Sequence, residues 1–176
     1  TYEVNSLLNF FMKLKQIFAV GLVAAPAAAL AGPTINGAGA TFPAPIYQRW
    51  FQDYARTTGN RVNYQSVGSG AGVRQFLAGT VDFAASDEPI KSSEAAKVKR
   101  GVVQIPMVGG TIAVAYNKKG CNLKLTQKQT VDIFAGRIKD WKALGCAAGP
   151  ITPVYRSDGS GTTYAFTNSL DAFGGW

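Results

Sequence analysis

The chain has 176 residues, with 18 Lys and Arg against 10 Asp and Glu, two Cys and no His. The absence of His excludes a Ser-His-Asp triad, a Cys-His nucleophile pair and His-based metal sites, and two Cys cannot form a four-Cys zinc site. A hydrophobic content of 47% with 16% charged residues is typical of a globular protein, so disorder is expected only at the ends.

The first 31 residues are expected to lie outside the fold. Residues 12–31 are typical of a secretory signal peptide, because Lys13 and Lys15 precede an apolar run that ends in Ala-Leu-Ala. The run is short for a membrane span, and a proline interrupts it. Cleavage is predicted after Ala31, which would place the mature protein outside the cytoplasm. Residues 1–11 are expected to be upstream read-through.

Removal of residues 1–31 changes how the charge is interpreted. It leaves 16 basic and 9 acidic residues, a net charge of +7. The basic residues are scattered, without the aromatic interleaving that single-strand binders use, so a nucleic-acid partner is not expected. A mild positive field that favours anionic ligands is the remaining interpretation.

Secretion favours a disulfide between Cys121 and Cys146, because two Cys in an oxidising compartment most often pair. The alternative is two separately buried thiols. A bridge that closes a loop of about 25 residues would contribute roughly 3 kcal/mol to stability in the loop-entropy model.

Short β-branched runs alternate with helical patterns along the mature chain, which favours an α/β fold with a largely parallel sheet. In chain order, we expect a strand opening at Thr34-Ile35, a helix at 43–58, a strand at 61–65, a helix at 72–78, a strand at 81–84, a helix at 92–100 with Ser92 as its N-cap, a β-rich stretch at 102–116, a helix introduced by a capping box at Thr126–Gln129, a strand at 151–155 and a helix at 161–173. The apolar side chains at helical spacing in the first helix are expected to be core: Ile46, Tyr47, Trp50, Phe51 and Tyr54.

Three predicted strand-to-helix loops share one chemistry. They lie at residues 37–42, 67–72 and 156–163, and each joins glycines to a hydroxyl residue at the start of a helix. Free N–H groups and the positive end of the helix dipole make such a position ready to bind an anion. For any single loop an ordinary turn or N-cap is the simpler interpretation. Three together favour an anion site at the carboxyl ends of the strands.

Named nucleotide and hydrolase motifs do not fit these loops. The chain has no Walker-type G-x-x-x-x-G-K-[ST] sequence, and both G-x-G segments break the dinucleotide fingerprint at its last glycine. Neither Ser69 nor Ser160 has the glycine two residues before it that a nucleophile elbow requires.

Two charged residues refine the expected anion. Arg156 opens the third loop and could donate two parallel hydrogen bonds. Asp87 follows a predicted strand, and a carboxylate there would accept a hydrogen bond from an anion that keeps a proton while repelling one that is fully ionised. Phosphate keeps a proton near neutral pH and sulfate does not. An ordinary turn or capping role for Asp87 remains the alternative.

Four stretches of residues 35–169 closely resemble the N-terminal half of the periplasmic phosphate-binding proteins of bacterial ABC phosphate importers. They are Gly37-Ala-Gly-Ala-Thr-Phe-Pro-Ala-Pro45, Val62-Asn-Tyr-Gln65 with Gly68-Ser69-Gly70, Thr80-Val-Asp-Phe-Ala-Ala-Ser-Asp87 and Arg156-Ser-Asp-Gly-Ser-Gly-Thr162. The resemblance implies phosphate contacts from Thr41, the backbone N–H of Phe42, Ser69, Asp87, Arg156, Ser160, Gly161 and Thr162. It implies supporting roles for Asp158, as the partner of Arg156, and for Gly68 and Gly70.

The same resemblance implies a two-lobed type II binding-protein fold that closes over dehydrated phosphate. Residues 32–116 would begin the first lobe and include the crossover, and residues 117–176 would begin the second. Family members continue well beyond the last predicted helix, so this chain is expected to be an incomplete N-terminal portion. The implied function is phosphate capture and delivery to an ABC permease by a monomer that needs no cofactor or metal and is not an enzyme. The alternatives are a receptor for arsenate or a secreted phosphatase or adhesin on the same scaffold.

Overall fold

The structure is a computed structural model that describes residues 32–174. The predicted signal peptide, its cleavage site and the predicted read-through segment lie outside these residues. Among residues 32–174, no helix has both the length and the apolar character that a membrane crossing requires.

Strands and helices alternate in the first half of the described chain, and helices alone follow in the second. The elements in chain order are β1 (Thr34–Gly39), α1 (Ala44–Thr58), β2 (Arg61–Ser66), α2 (Ser69–Leu77), β3 (Phe83–Ala85), α3 (Ser92–Ala95), α4 (Gln127–Phe134), a 3-10 helix at Trp141–Leu144 and α5 (Gly161–Ala172). The predicted helices at 43–58 and 161–173 and the predicted strands at 34 and 61–65 are confirmed within one or two residues.

The three strands form one parallel sheet in the order β2-β1-β3, which confirms the α/β class. Gly39, the last residue of β1, pairs with Ser66 of β2 and with Ala85 of β3. Because parallel strands end at the same edge, the chain segments that follow all three strands start side by side. This register positions the candidate site.

An aromatic cluster packs α1 onto the sheet. Tyr47 of α1 is only 7% exposed, and its ring lies edge-on to that of Tyr64 in β2, with 5.2 Å between centroids. Tyr64 in turn stacks on Phe83 of β3 at 6.0 Å, and Phe51 contacts Phe83 at 6.1 Å. The remaining apolar residues of the α1 face, Ile46, Trp50 and Tyr54, are exposed, so the prediction that they belong to the core is wrong for these three.

The segment after residue 117 is held together by a disulfide and helix contacts, whereas the first half of the described chain is built on a sheet. The predicted disulfide is confirmed, with Cys121 and Cys146 bonded across a separation of 25 residues. The predicted capping box is also confirmed, because Thr126 accepts from the amide of Gln129 and the Gln129 side chain accepts from that of Thr126. Rings of Phe134 and Phe166, 4.8 Å apart, join α4 to α5.

Two predicted β segments are wrong. Residues 102–116 and 151–155 form no strand within the part of the chain that the structure describes. Val103 and Val154 are each 85% exposed. A β-branched run suits a pleated surface, but it becomes a strand only when a neighbouring strand pairs with it. The third predicted loop therefore follows no strand.

Two helix boundaries also differ from the predictions. The helix expected at 92–100 ends at Ala95, and its N-cap is Lys91, so the prediction that Ser92 caps it is wrong. The helix expected at 72–78 begins three residues earlier, at Ser69. Its first turn contains the glycines that sequence patterns assign to a loop. The predicted boundary between two lobes at 116 and 117 stays a prediction.

Candidate anion-binding site

The carboxyl edge of the sheet brings the first two predicted loops together. The amides of Val67 and Gly68 both donate to the carbonyl of Gly39, at 3.1 and 2.9 Å. The amide of Ala40 donates to the carbonyl of Ala85 at 2.8 Å. The segment that carries Thr41, the start of α2 and the segment that carries Asp87 are thus joined through backbone hydrogen bonds.

The third loop packs directly against the second. The amide of Gly70 donates to the carbonyl of Gly159 at 2.9 Å. Gly68 has a φ of +88°, and a Cβ added there would lie 2.7 Å from Nη2 of Arg156. A side chain at position 68 would therefore be strained by its own backbone and would also displace the guanidinium.

Ser69, Asp87 and Gly161 meet at the centre of the cluster. Ser69 is 3% exposed, and its Oγ accepts from the amide of Asp87 at 3.4 Å. A Cβ added at Gly161 would lie 2.6 Å from Oγ of Ser69 and 2.8 Å from the amide nitrogen of Asp87. Glycine at position 161 thus lets the start of α5 approach both residues.

Thr162 links α5 to Asp87. Its Oγ1 donates to Oδ2 of Asp87 at 3.0 Å, across 75 residues of sequence. Ser160 caps the helix, because its buried Oγ accepts from the amide of Thr163 at 3.1 Å. The first amides of a helix have no acceptor inside the helix, so the start of α5 supplies positive potential beside the Asp87 carboxylate.

Arg156 and Asp158 form a two-bond ion pair at the rim. Nε donates to Oδ1 at 2.8 Å and Nη2 donates to Oδ2 at 2.5 Å. These hydrogen bonds raise the pKa of Arg156 and lower the pKa of Asp158. The pair fixes the plane of the guanidinium over Gly68 and leaves both N–H groups of Nη1 and one of Nη2 for another acceptor.

Thr41 and Phe42 lie at the same edge but stay apart from the cluster. Both are exposed, Phe42 to 43%, and its ring lies against Gly110. Within residues 32–174, neither side chain forms a hydrogen bond to another predicted site residue. The structure therefore brings together Ser69, Asp87, Arg156, Ser160, Gly161 and Thr162, with Gly68, Gly70 and Asp158 in support, and it leaves Thr41 and Phe42 beside them.

Two tyrosines near the site were not predicted from the sequence. The hydroxyl of Tyr64 donates to the carbonyl of Ala40 at 2.7 Å. Burial raises the pKa of Tyr64 above its ordinary value, and Tyr47 and Asp87 add to the shift. Burial and the charge of Asp87 raise the pKa of Tyr47 as well. Tyr47 on the apolar face of α1 and Tyr64 in a half-buried strand both look like core residues in the sequence, so no pattern could have identified either one as a neighbour of the site.

Comparison with known proteins places the chain in a family. Residues 24–176 match the model of the PBP superfamily domain. The chain is 44% identical over 171 residues to a phosphate-binding protein, PstS, of Haemophilus influenzae, an alignment that covers 90% of this chain and 50% of that protein. The chain spans about half the length of the curated relatives it matches.

A solved structure and a second relative extend the comparison. A phosphate ABC transporter substrate-binding protein of Clostridium perfringens, described as putative and solved with bound phosphate, has a TM-score of 0.62 and 25% identity, covering 78% of this chain and 56% of that one. A Pseudomonas aeruginosa protein named alkaline phosphatase L is 35% identical over 174 residues, covering 85% of this chain and 43% of that protein. The chain belongs to the PBP superfamily, and it is similar to members of that superfamily named for binding phosphate.

Proposed function

We propose that the whole protein captures inorganic phosphate outside the cytoplasm and delivers it to an ABC permease. One observation carries the proposal. The Asp87 carboxylate lies among hydroxyl and N–H donors, at the start of α5, where an anion would otherwise be favoured. Such a mixture suits an anion that keeps a proton, because Asp87 can accept a hydrogen bond from that proton while the other groups donate hydrogen bonds to the anion.

The donor groups would divide the ligand between them. Ser69 and Ser160 would supply hydroxyl donors, Gly161 and Phe42 would supply backbone N–H groups, and Arg156 would supply a charge-assisted pair of hydrogen bonds. Thr41 and Thr162, whose hydroxyl donates to Asp87, would complete the set of contacts. Asp158 would hold Arg156 in place, and the close approach of Gly68 and Gly70 to the third loop supports this geometry.

The division into two predicted lobes suggests how phosphate binding would close the protein. Residues 32–116 would belong to one lobe and residues 117–176 to the other, so phosphate would contact groups from both. A ligand that contacts both lobes favours the closed state by the contacts it makes only there. The disulfide supports a location outside the cytoplasm, because such bonds persist in oxidising compartments.

Calorimetric titration of the whole protein with phosphate tests the proposal. We expect binding, and we expect Arg156→Ala to weaken it about a hundredfold, because a charge-assisted pair of hydrogen bonds is lost. Arg49→Ala is the matched control, since Arg49 pairs with Asp53 on the solvent-exposed face of α1. Absence of binding by the unmodified whole protein would contradict the proposal, and unchanged affinity of the Arg156 variant would remove the third loop from the site.

A phosphatase is the second candidate, favoured by the name of the Pseudomonas aeruginosa relative. Incubation of the whole protein with a chromogenic phosphomonoester separates the two functions. We expect no release of the chromophore at protein concentrations that bind phosphate stoichiometrically. Repeated turnover would overturn the proposed transport role.

Arsenate, which also keeps a proton, remains an alternative ligand, and a competition titration ranks it against phosphate.

A further inference from the structure

The two peptide groups on either side of Ala40 are each held by at least one hydrogen bond. The amide of Ala40 donates to the carbonyl of Ala85 in β3, and the carbonyl of Ala40 accepts from the hydroxyl of Tyr64 in β2. Ala40 is 2% exposed, so water has little access to replace either partner. Ala40, which lies inside the first predicted loop, is thus tied to both neighbouring strands.

The Tyr64 hydroxyl is held rigidly where it donates. Its ring packs edge-on against Tyr47 and stacks on Phe83. The ordinary pKa of a tyrosine, about 10, lies above the physiological range, and burial raises the pKa of Tyr64 further, so its hydroxyl remains a donor. Because the ring is fixed by packing, the 2.7 Å bond from its hydroxyl also fixes the position of the Ala40 carbonyl oxygen.

Fixing that carbonyl also fixes the next N–H. The peptide unit is planar and trans, so the N–H of Thr41 points in the direction opposite to the Ala40 carbonyl. The bond from Tyr64 thereby sets the orientation with which the chain enters Thr41 and Phe42. We infer that Tyr64 is a positioning residue, whose hydroxyl orients the Ala40–Thr41 peptide and so presents Thr41 and the N–H of Phe42 to the anion. This inference rests on the proposed function.

Tyr64→Phe tests the inference in the whole protein, because it keeps the ring packing and removes only the hydroxyl. We expect phosphate affinity, measured by calorimetry, to fall about tenfold, since the ligand must then order a loop that is otherwise preorganised. We also expect the NMR order parameters of the Thr41 and Phe42 amides to fall, because this segment becomes more mobile, while the order parameter of the Ala38 amide inside β1 is unchanged. Tyr54→Phe is the matched control, because its exposed hydroxyl only accepts a 3.4 Å bond from Asn60.

The outcomes separate this inference from the proposed function. A Tyr64→Phe variant with lower stability but unchanged phosphate affinity and unchanged order parameters at Thr41 and Phe42 would show a purely structural tyrosine and overturn the inference. If the unmodified protein binds no phosphate, the proposed function fails. The order parameters at Thr41 and Phe42 then still decide whether Tyr64 positions this loop.

Discussion

Two regions of the molecule hold glycine-rich loops in place by different means. In the N-terminal region, residues 34–85, the loops follow strands of one parallel sheet, and strand register decides where each loop begins. In the C-terminal region, residues 117–174, the described chain contains no strand beyond a single bridge between Asp140 and Pro150. The third loop depends there on contacts with the N-terminal region. A loop can thus be positioned either by its own sheet or by the surface it packs against.

The contacts that hold the third loop are few and specific. They include the bond from Gly70 to Gly159 and the bond from Thr162 to Asp87, with Gly161 packed against Ser69 and Arg156 against Gly68. Inside the C-terminal region, a disulfide and a buried carboxylate take the place of a sheet. The comparison therefore predicts that covalent and ionic links matter more in the C-terminal region, and close backbone packing matters more in the N-terminal region.

The largest expected loss of stability follows from removing the disulfide of the C-terminal region. Replacing both cysteines, Cys121→Ser with Cys146→Ser, removes a bridge across 25 residues. We expect the free energy of unfolding to fall by about 3 kcal/mol, because the unfolded chain gains the freedom of an open loop. Urea unfolding measures the loss, and reduction of the unmodified protein should reproduce it. A loss near zero would show that other contacts suffice to hold this region.

The next effect tests close packing in the N-terminal region. A Cβ added at Gly72 of α2 would lie 2.3 Å from Cα of Gly39 and 2.5 Å from the carbonyl oxygen of Ala38. We expect Gly72→Ala to lower the free energy of unfolding by about 2 kcal/mol, because α2 must move away from β1. Gly109→Ala is the control, since nothing lies within 4 Å of an added Cβ there. Equal stability of the two variants would contradict the direct contact between α2 and β1.

The smallest effect concerns the buried carboxylate of the C-terminal region. Asp132 accepts from Nζ of Lys128 at 2.5 Å and from Nε of Arg137 at 2.6 Å, and these bonds lower the pKa of Asp132, that from Lys128 most. Its contribution to stability is therefore present above the ordinary pKa of about 4 and is lost as pH falls through the lower value of the folded state.

Urea unfolding between neutral pH and acid pH measures this contribution. We expect the unmodified protein to lose more stability below about pH 4 than the Asp132→Asn variant does. Asp171→Asn, at an exposed position on α5, should follow the unmodified protein. Parallel acid profiles for the unmodified protein and the Asp132 variant would show that the two bonds contribute nothing to folding.

Local signals in the sequence predicted the elements that depend only on residues close together in the chain, which are the helices. The capping box at Thr126 and Gln129 needs only residues three positions apart, and the helix ending at Thr58 is followed by a glycine that can stop it. The run at 102–116 is rich in residues that favour β structure, yet a strand forms only when another strand pairs with it. Propensity contains no information about such a partner. That difference explains why helices were predicted better than strands.

The site could be predicted in composition but not in geometry. Glycines and hydroxyls at helix starts indicated an anion, and the resemblance supplied candidate residues. The bond between Thr162 and Asp87 joins residues 75 positions apart, and no spacing rule reaches that far. The hydroxyl of Tyr64 contacts a carbonyl on a neighbouring strand, so it depends on register, which the sequence pattern alone does not determine.

The central claim is that Asp87 makes the site selective for an anion that keeps a proton. Calorimetric titration of the whole protein with phosphate and with sulfate, at the same near-neutral pH and ionic strength, tests it most directly. We predict that phosphate binds at least about a hundredfold more tightly, because sulfate has no proton to donate to the carboxylate and is repelled by it. Equal affinities for the two anions would contradict the claim.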